Sequence, residues 1–420
     1  MNINQVRLAA NEPLADRRIP AGGDWLTREE LDALTPQELV RRTTALKPLL
    51  AAHAEECERL RRPVDSVWNA IRATGCFYHF VPRAFGGLEF DIDTFIDAML
   101  PLAEGCASTG WVTAFCVEHN WMAAQFPRGF QEETFAGAFP YIVAPGATAP
   151  PGVAEPVDGG YRLTGRWKWG TGVMHADWVM VVGNVPGETP PRPLFCAVPA
   201  ADVRVIDTWH VDGMSGTGSN DIAVDGLFVP EHRVMNMAEM RAGRAPGAMI
   251  HANPVYHMPM TPFLAITAAI GAVGAARSAA EHFKTRIGKR VMHGTTTSQI
   301  EKPAAHMKLG EATVLATSAE ALLREVGRAN FELGKRDHLA SPAERIALRA
   351  QVALAMDMCK RATRILCDAS GSSAHMLDNP IQRAMRDVTV MASHVVYDYD
   401  GATELHGRAI LGLEPNSPIY

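Results

Sequence analysis

From Thr27 onward apolar residues recur at intervals of three and four, through Leu31, Leu34, Leu39, Val40, Leu49 and Leu50, a spacing that predicts amphipathic helices. Thr27 followed by Glu30 has the form of a capping box, so the first helix is expected to start there. Ser66 to Thr74, Asp93 to Ala103 and Thr109 to Gln125 each carry a periodic apolar face, separated by punctuation such as Pro82-Arg-Ala-Phe-Gly-Gly87. Residues 1–135 therefore read as a helical domain.

The period then drops to two. Tyr161, Leu163, Gly165, Trp167 and Trp169 alternate with Arg162, Thr164, Arg166 and Lys168, and further strands are expected at 178–183, 193–198 and 222–230. Residues 136–240 read as a small β domain. Beyond Ala245 the helical period returns, with start signals at Thr261-Pro262, at Ser341-Pro342 with Glu344, and at Asn379-Pro380. Four long helices over 261–290, 302–333, 342–369 and 380–411 make residues 241–420 a four-helix bundle. The expected class is mainly α with a central β domain.

Composition narrows the function. The net charge of -6 and the pI near 6.2 exclude the clustered basic surface that nucleic acid requires. Cys57, Cys76, Cys106, Cys116, Cys196, Cys359 and Cys367 include no CxxC pair and read as reduced thiols. The polar N-terminal segment 1–20 lacks the basic-then-apolar order of a signal peptide, so a cytoplasmic protein is expected. The uncharged stretch Met258–Ala276 is nearly long enough to span a bilayer. Its Ala and Gly content and its continuation into Arg277 instead predict a close-packed interior helix, and no membrane association.

The common chemical signatures are missing. No GxxxxGK[ST] and no strand-to-helix GxGxxG occurs, so nicotinamide chemistry is placed on another protein. None of the 15 histidines forms HExxH or pairs with cysteine at zinc spacing, and no metal is expected. A GxSxG elbow is absent too; the cluster at 213–221, containing Ser215, Thr217 and Ser219, leads into a strand and reads either as a cofactor-edge loop or as a plain turn.

Three segments carry a family resemblance. Trp167-Lys-Trp-Gly-Thr-Gly172 resembles the segment of acyl-CoA dehydrogenases in which a Trp packs on the isoalloxazine and a Thr two residues later bonds N5, which implies those roles for Trp169 and Thr171. The loop at 215–221 and its following strand are similar to the end of that family's β domain, implying flavin contacts from Ser215, Thr217 and Ser219. Arg386 to His394 and Leu405 to Gly412 resemble the last bundle helix of the flavin-dependent hydroxylase branch. There the resemblance implies His119 and His394 on the substrate side of the flavin, suited to proton transfer by a pKa near neutrality. Trp121, Tyr78 and His79 are further candidates for the pocket wall, with core packing as the alternative.

The resemblance implies an acyl-CoA dehydrogenase fold. It also implies a two-component flavin-dependent monooxygenase whose oxygenase hydroxylates a small phenolic or indolic substrate through a flavin C4a-hydroperoxide. Diffusible reduced FAD or FMN, dioxygen, an NADH-dependent flavin reductase and a homotetramer follow from the same likeness. Arg286 and Arg290 resemble the basic helix end that reaches a flavin phosphate across a subunit interface, though arginines also suit a helix C-terminus without a ligand. Two departures stand out. Gly170 replaces a serine common in the hydroxylase branch, and Asp400 lies near the position of the dehydrogenases' catalytic carboxylate, which keeps an FAD-dependent acyl-CoA dehydrogenase as an alternative. A non-catalytic flavin- or ligand-binding protein is the third reading.

Overall fold

The computed structural model describes residues 26–136 and 140–420. The polar N-terminal segment that bears on a signal peptide lies outside the described residues.

Local chemistry sets the helix starts. The Thr27 hydroxyl accepts the Glu30 N–H while the Glu30 carboxylate takes the Thr27 N–H at 2.7 Å, closing the capping box at the head of α1 (Arg28–Asp32). There follow α2 (Pro36–Ala45), α3 (Lys47–Leu60), α4 (Asp65–Arg72), α5 (Ile92–Gly105), α6 (Ala107–Ala123) and α7 (Arg128–Phe135). In α6 every residue except Phe115 is buried, so this helix runs through the interior.

One sheet follows, with β1 (Gly146–Val157), β2 (Gly160–Trp167), β3 (Trp178–Asn184), β4 (Pro193–Pro199), β5 (Arg204–Ile206), β6 (Asp221–Pro230) and β7 (Val234–Asn236). Their order is β5-β6-β2-β1-β3-β4-β7, and only β1 and β3 run parallel. The alternation read through Trp169 stops at Trp167. Trp167 is a core residue whose Nε1 donates to the Val182 carbonyl at 2.7 Å, whereas Trp169 sits in left-handed backbone at φ +65°.

After the short α8 (Met237–Arg241) come α9 (Met260–Lys289), α10 (Pro303–Gly334) and α11 (Pro342–Ser370). The apolar stretch in α9 is long enough to cross a membrane, yet 83% of its most apolar window is buried in the protein. Its small residues have a spatial cause: a Cβ on Gly274 would lie 2.5 Å from Ala103 Cβ, and one on Gly110 would lie 2.5 Å from Ala103 Cα. At that point α5, α6 and α9 meet backbone to backbone.

The fourth bundle helix, expected to be continuous over 380–411, is broken. It forms α12 (Pro380–Met391), a tight turn at Val395–Tyr397, and α13 (Tyr399–Ile410), with His394 extended at ψ 137°. Buried Arg349 on α11 explains how the break is held, since it takes the carbonyls of Val395 at 2.9 Å, Val396 at 3.1 Å and Ile419 at 2.8 Å. Carbonyls freed from a helix ladder need such donors when buried.

Candidate active site

A cavity of about 500 Å³ opens between the sheet, α6, α9 and the broken segment. Its apolar wall is one face of α6, with Trp111, Phe115 and Met122 at helical spacing, together with Leu264 and Val390. Lys168 and Arg241 line it too, and Trp169, 58% exposed, presents its indole there.

Thr171, Thr217 and Ser219 meet on one side in a chain of hydroxyls. Thr217 Oγ1 lies 2.9 Å from the Met214 carbonyl, Ser219 Oγ lies 2.7 Å from Thr217 Oγ1, and Thr171 Oγ1 lies 2.9 Å from Ser219 Oγ. A carbonyl only accepts, so the Thr217 proton goes to Met214. Thr217 then accepts from Ser219, and Ser219 accepts from Thr171. Thr171 is thereby left facing the cavity with lone pairs and no free proton.

The loop carrying this chain is anchored from the bundle. Met214 is left-handed at φ +58°, and its N–H donates to the buried Asp387 carboxylate of α12 at 2.5 Å; burial pushes the Asp387 pKa up to about 7. Gly170 also has a local reason, because a Cβ there would stand 2.5 Å from Ile222 Cδ1.

Across the cavity stands His119. Its Nδ1 is bonded to the Ala144 carbonyl, so that nitrogen carries the proton and Nε2 is left as an acceptor. Burial pulls its pKa down to about 4. Gly146 lets the sheet come close, since a Cβ there would sit 3.4 Å from His119 Nε2. His394 lines the same cavity from the break after α12; its Nδ1 accepts the Val396 N–H at 3.4 Å and its ring approaches Trp111 and Tyr397. The protein packed around it lowers its pKa, though its ring is exposed along the cavity whereas that of His119 is buried.

Several expected residues lie elsewhere. Trp121, two residues from His119, points to the opposite side of α6, where its Nε1 donates to the Val255 carbonyl at 2.7 Å. His79 is a core histidine with Nε2 on the Asp91 carbonyl at 3.1 Å, and Tyr78 packs edge-on against Tyr141. Asp400 is exposed in the first turn of α13 and does not line the cavity, so the carboxylate base of a dehydrogenase is not supplied there. Ser215 also stays outside the wall, its Oγ donating to the Val211 carbonyl at 2.9 Å. Arg286 and Arg290 turn onto the Ser370 carbonyl at 2.6 and 2.7 Å, at the far end of the bundle helices.

The sequence reading passed over Glu118, Asp387 and Arg349. Glu118 had a signal of its own, as the one Lys, Arg, Asp or Glu in the apolar run Ala107–Ala123. Among the described residues no cluster of His, Cys, Asp and Glu could hold a metal ion.

Helical domain, sheet and bundle around one cavity form the acyl-CoA dehydrogenase architecture, and the family model described as acyl-CoA dehydrogenase, C-terminal domain, matches residues 266–399. Among curated proteins, the pigment production hydroxylase of a Rhodococcus species is 38% identical over 92% of this chain and 99% of its own. The oxygenase component of the FADH(2)-dependent resorcinol hydroxylase of a Rhizobium species is 33% identical over 90% of this chain and 95% of its own. Among solved structures, the 3-HSA hydroxylase from a Rhodococcus species superposes with a TM-score of 0.86 at 30% identity, covering 91% of this chain and 99% of that one. XiaF from a Streptomyces species, solved in complex with FADH2 and glycerol, gives 0.85 at 30% identity, covering 93% and 99%. The chain belongs to the flavin-dependent monooxygenases, as an oxygenase component built on the acyl-CoA dehydrogenase fold. Reduced flavin and dioxygen are its co-reactants, and a flavin reductase is its partner.

Proposed function

We propose that the protein hydroxylates a small aromatic substrate, phenolic or indolic, with reduced FAD or FMN and dioxygen. The observation that carries this is the direction of the hydroxyl chain. Because the Met214 carbonyl draws the protons one way, Thr171 meets the cavity as an acceptor. The N5 of a reduced flavin carries a hydrogen and suits an acceptor; the N5 of an oxidised flavin does not. Bound there, reduced flavin supplies the electrons that activate dioxygen.

The chain's residues then have separate tasks. Trp169 covers the flavin ring, Thr171 holds its N5 side, and Thr217 and Ser219 fix the polarity of Thr171. His119 Nε2 takes the hydroxyl or indole proton of the substrate, and His394 orients the substrate from the other side. The apolar wall excludes water. Arg286 and Arg290 are assigned to a flavin phosphate across a subunit boundary in a homotetramer. Ser215 supports the loop from behind. The reductase is NADH-dependent, and the pair works in the cytoplasm.

The test mixes anaerobically reduced FMN or FAD with the protein, then with oxygenated buffer, and follows flavin absorbance. Reoxidation slower than that of free flavin, with hydroxylated product when a phenol is present, is expected. Reoxidation indistinguishable from free flavin overturns the reading. Thr171→Val, which keeps the shape and removes the acceptor, should lower the fraction of oxygen consumed that appears as product about tenfold, the worth of one hydrogen bond. Product yield per oxygen consumed reports it.

A further inference from the structure

One end of the cavity is positively charged. Met237 and Arg241, one turn apart on α8, line it beside Met260 and Leu264 at the start of α9. α8 continues from β7, where Met235 pairs with Phe195, and a Cβ on Gly146 would lie 3.8 Å from Phe195 Cζ and 3.4 Å from His119 Nε2. Arg241 therefore belongs to the His119 side of the cavity, away from the hydroxyls of Thr171, Thr217 and Ser219.

Arg241 is half-buried, and among the described residues its guanidinium has neither a hydrogen-bond acceptor nor a carboxylate within ion-pair distance. Its nitrogens keep accessible surface, so a molecule bound in the cavity can reach them. The carboxyl group in the wall does not answer this charge: Glu118 is engaged by Thr267, and its other oxygen is closed off. Burial acts on Arg241 without an anion to offset it and lowers its pKa. The arginines behind it add charge of the same sign. Arg345 Nη1 donates to the Arg241 carbonyl at 3.0 Å with its guanidinium over the Tyr420 ring, and Arg349 directs its donors to the carbonyls of Val395, Val396 and Ile419. Asp398 acts on Arg349 only from beyond ion-pair distance. In a chain of net charge -6, this end of the cavity calls for an anion from outside.

We propose that Arg241 is a substrate-binding residue that pairs with a carboxylate, so that the preferred substrates are aromatic acids, a phenol or indole ring whose side chain ends in a carboxylate. A guanidinium offers parallel N–H donors that match the two carboxylate oxygens. The ring O–H or N–H goes to His119 and the carboxylate to Arg241, which holds the ring at two points. A neutral amide of the same shape is disfavoured about ten- to a hundredfold, the worth of a hydrogen bond between charged groups. The flavin phosphate is the competing anion, and the test separates the two. The assignment rests on the reading of the cavity as an aromatic hydroxylation site.

The probes are 4-hydroxyphenylacetate, 3-(4-hydroxyphenyl)propanoate and indole-3-acetate, each paired with its primary amide. Each is titrated anaerobically into the protein with reduced flavin, and kcat and KM are measured with oxygen for the wild type, Arg241→Met and Arg241→Gln. The wild type is expected to bind at least one acid tenfold or more tightly than its amide. In Arg241→Met, kcat/KM for that acid falls at least tenfold further than for the amide, through KM; Arg241→Gln serves if Met does not fold. Absence of an acid preference in the wild type for every pair overturns the proposal, as does a preference that survives in both variants. Weaker binding of reduced flavin by the variants, with the acid preference intact, also overturns it, because the guanidinium then serves the flavin phosphate. If the wild type hydroxylates none of the probes, the functional reading has failed, and the anaerobic titration still decides whether Arg241 selects the acid.

Discussion

Replacing His119 with Leu lowers the rate of aromatic hydroxylation by about a hundred- to a thousandfold, the usual contribution of a positioned general base, while leaving flavin binding intact. The physical reason is the Ala144 carbonyl, which holds the proton on Nδ1 and leaves Nε2 free to receive one from the substrate. Burial lowers the folded pKa to about 4, so the imidazole stays neutral as pH falls through the ordinary histidine range. Protonation removes the base, so the activity it supports is lost on the acid side, toward pH 4. No limb near 6.5 from this residue is expected in the pH profile of the hydroxylation step. Stability follows the same sign. The unfolded histidine protonates first, so the contribution of this buried neutral ring is full above about 6.5 and is lost as pH falls toward 4. Single-turnover hydroxylation of a phenol between pH 5 and 9, in wild type and variant, measures the effect. Loss of flavin binding in step with activity would assign His119 a structural role instead.

Replacing Arg349 with Met has the largest expected effect on stability. The guanidinium is 3% exposed and holds three carbonyls, those of Val395, Val396 and Ile419. Methionine fills much of the space and satisfies none of them. Each of these part-buried acceptors costs about 1 kcal/mol when its donor is lost, the low end of the range for buried groups because water can reach it, so a loss of about 3 kcal/mol is expected. Hydroxylation falls as well, because Val395, Val396 and Ile419 line the cavity and the same turn sets His394. Arg349→Lys recovers little, since one ammonium cannot span three carbonyls in fork geometry. The midpoint of urea unfolding checks the first effect. Arg364→Met, at an exposed pair with Asp368 on the same helix, is the control and should move the midpoint hardly at all.

Both variants show where pattern reading stops. The period of 3.6 is the same on either side of the break after α12, so residues 380–411 look continuous from their apolar spacing. The break depends on an arginine from α11, placed there by the packing of the bundle. Trp169 extends an alternation that ends at Trp167, because the left-handed turn at 169 belongs to the chain's approach to the cavity. Tyr78, His79 and Trp121 have the right residue types for a pocket and the wrong side of their elements. Trp121 in particular follows His119 by 200° around a helix of about 3.6 residues per turn.

What the sequence determined by itself is local or periodic. It set the capping boxes at Thr27 and Ser341, the helical face of α6 that carries Trp111, Phe115 and His119, the strands flanking Trp167, and the small-residue stretch of α9. Side-chain size, shape and spacing act within a few residues and leave their trace in the order of the letters. Tertiary structure alone decided the chemistry of the cavity wall. The proton positions on His119 and Thr171 are set by the carbonyls of Ala144 and Met214, reached directly or through neighbouring hydroxyls. Every residue contributes the same carbonyl, so no letter in the sequence marks the one that will face a given side chain. Only folding brings it there, and with it the direction of each hydrogen bond.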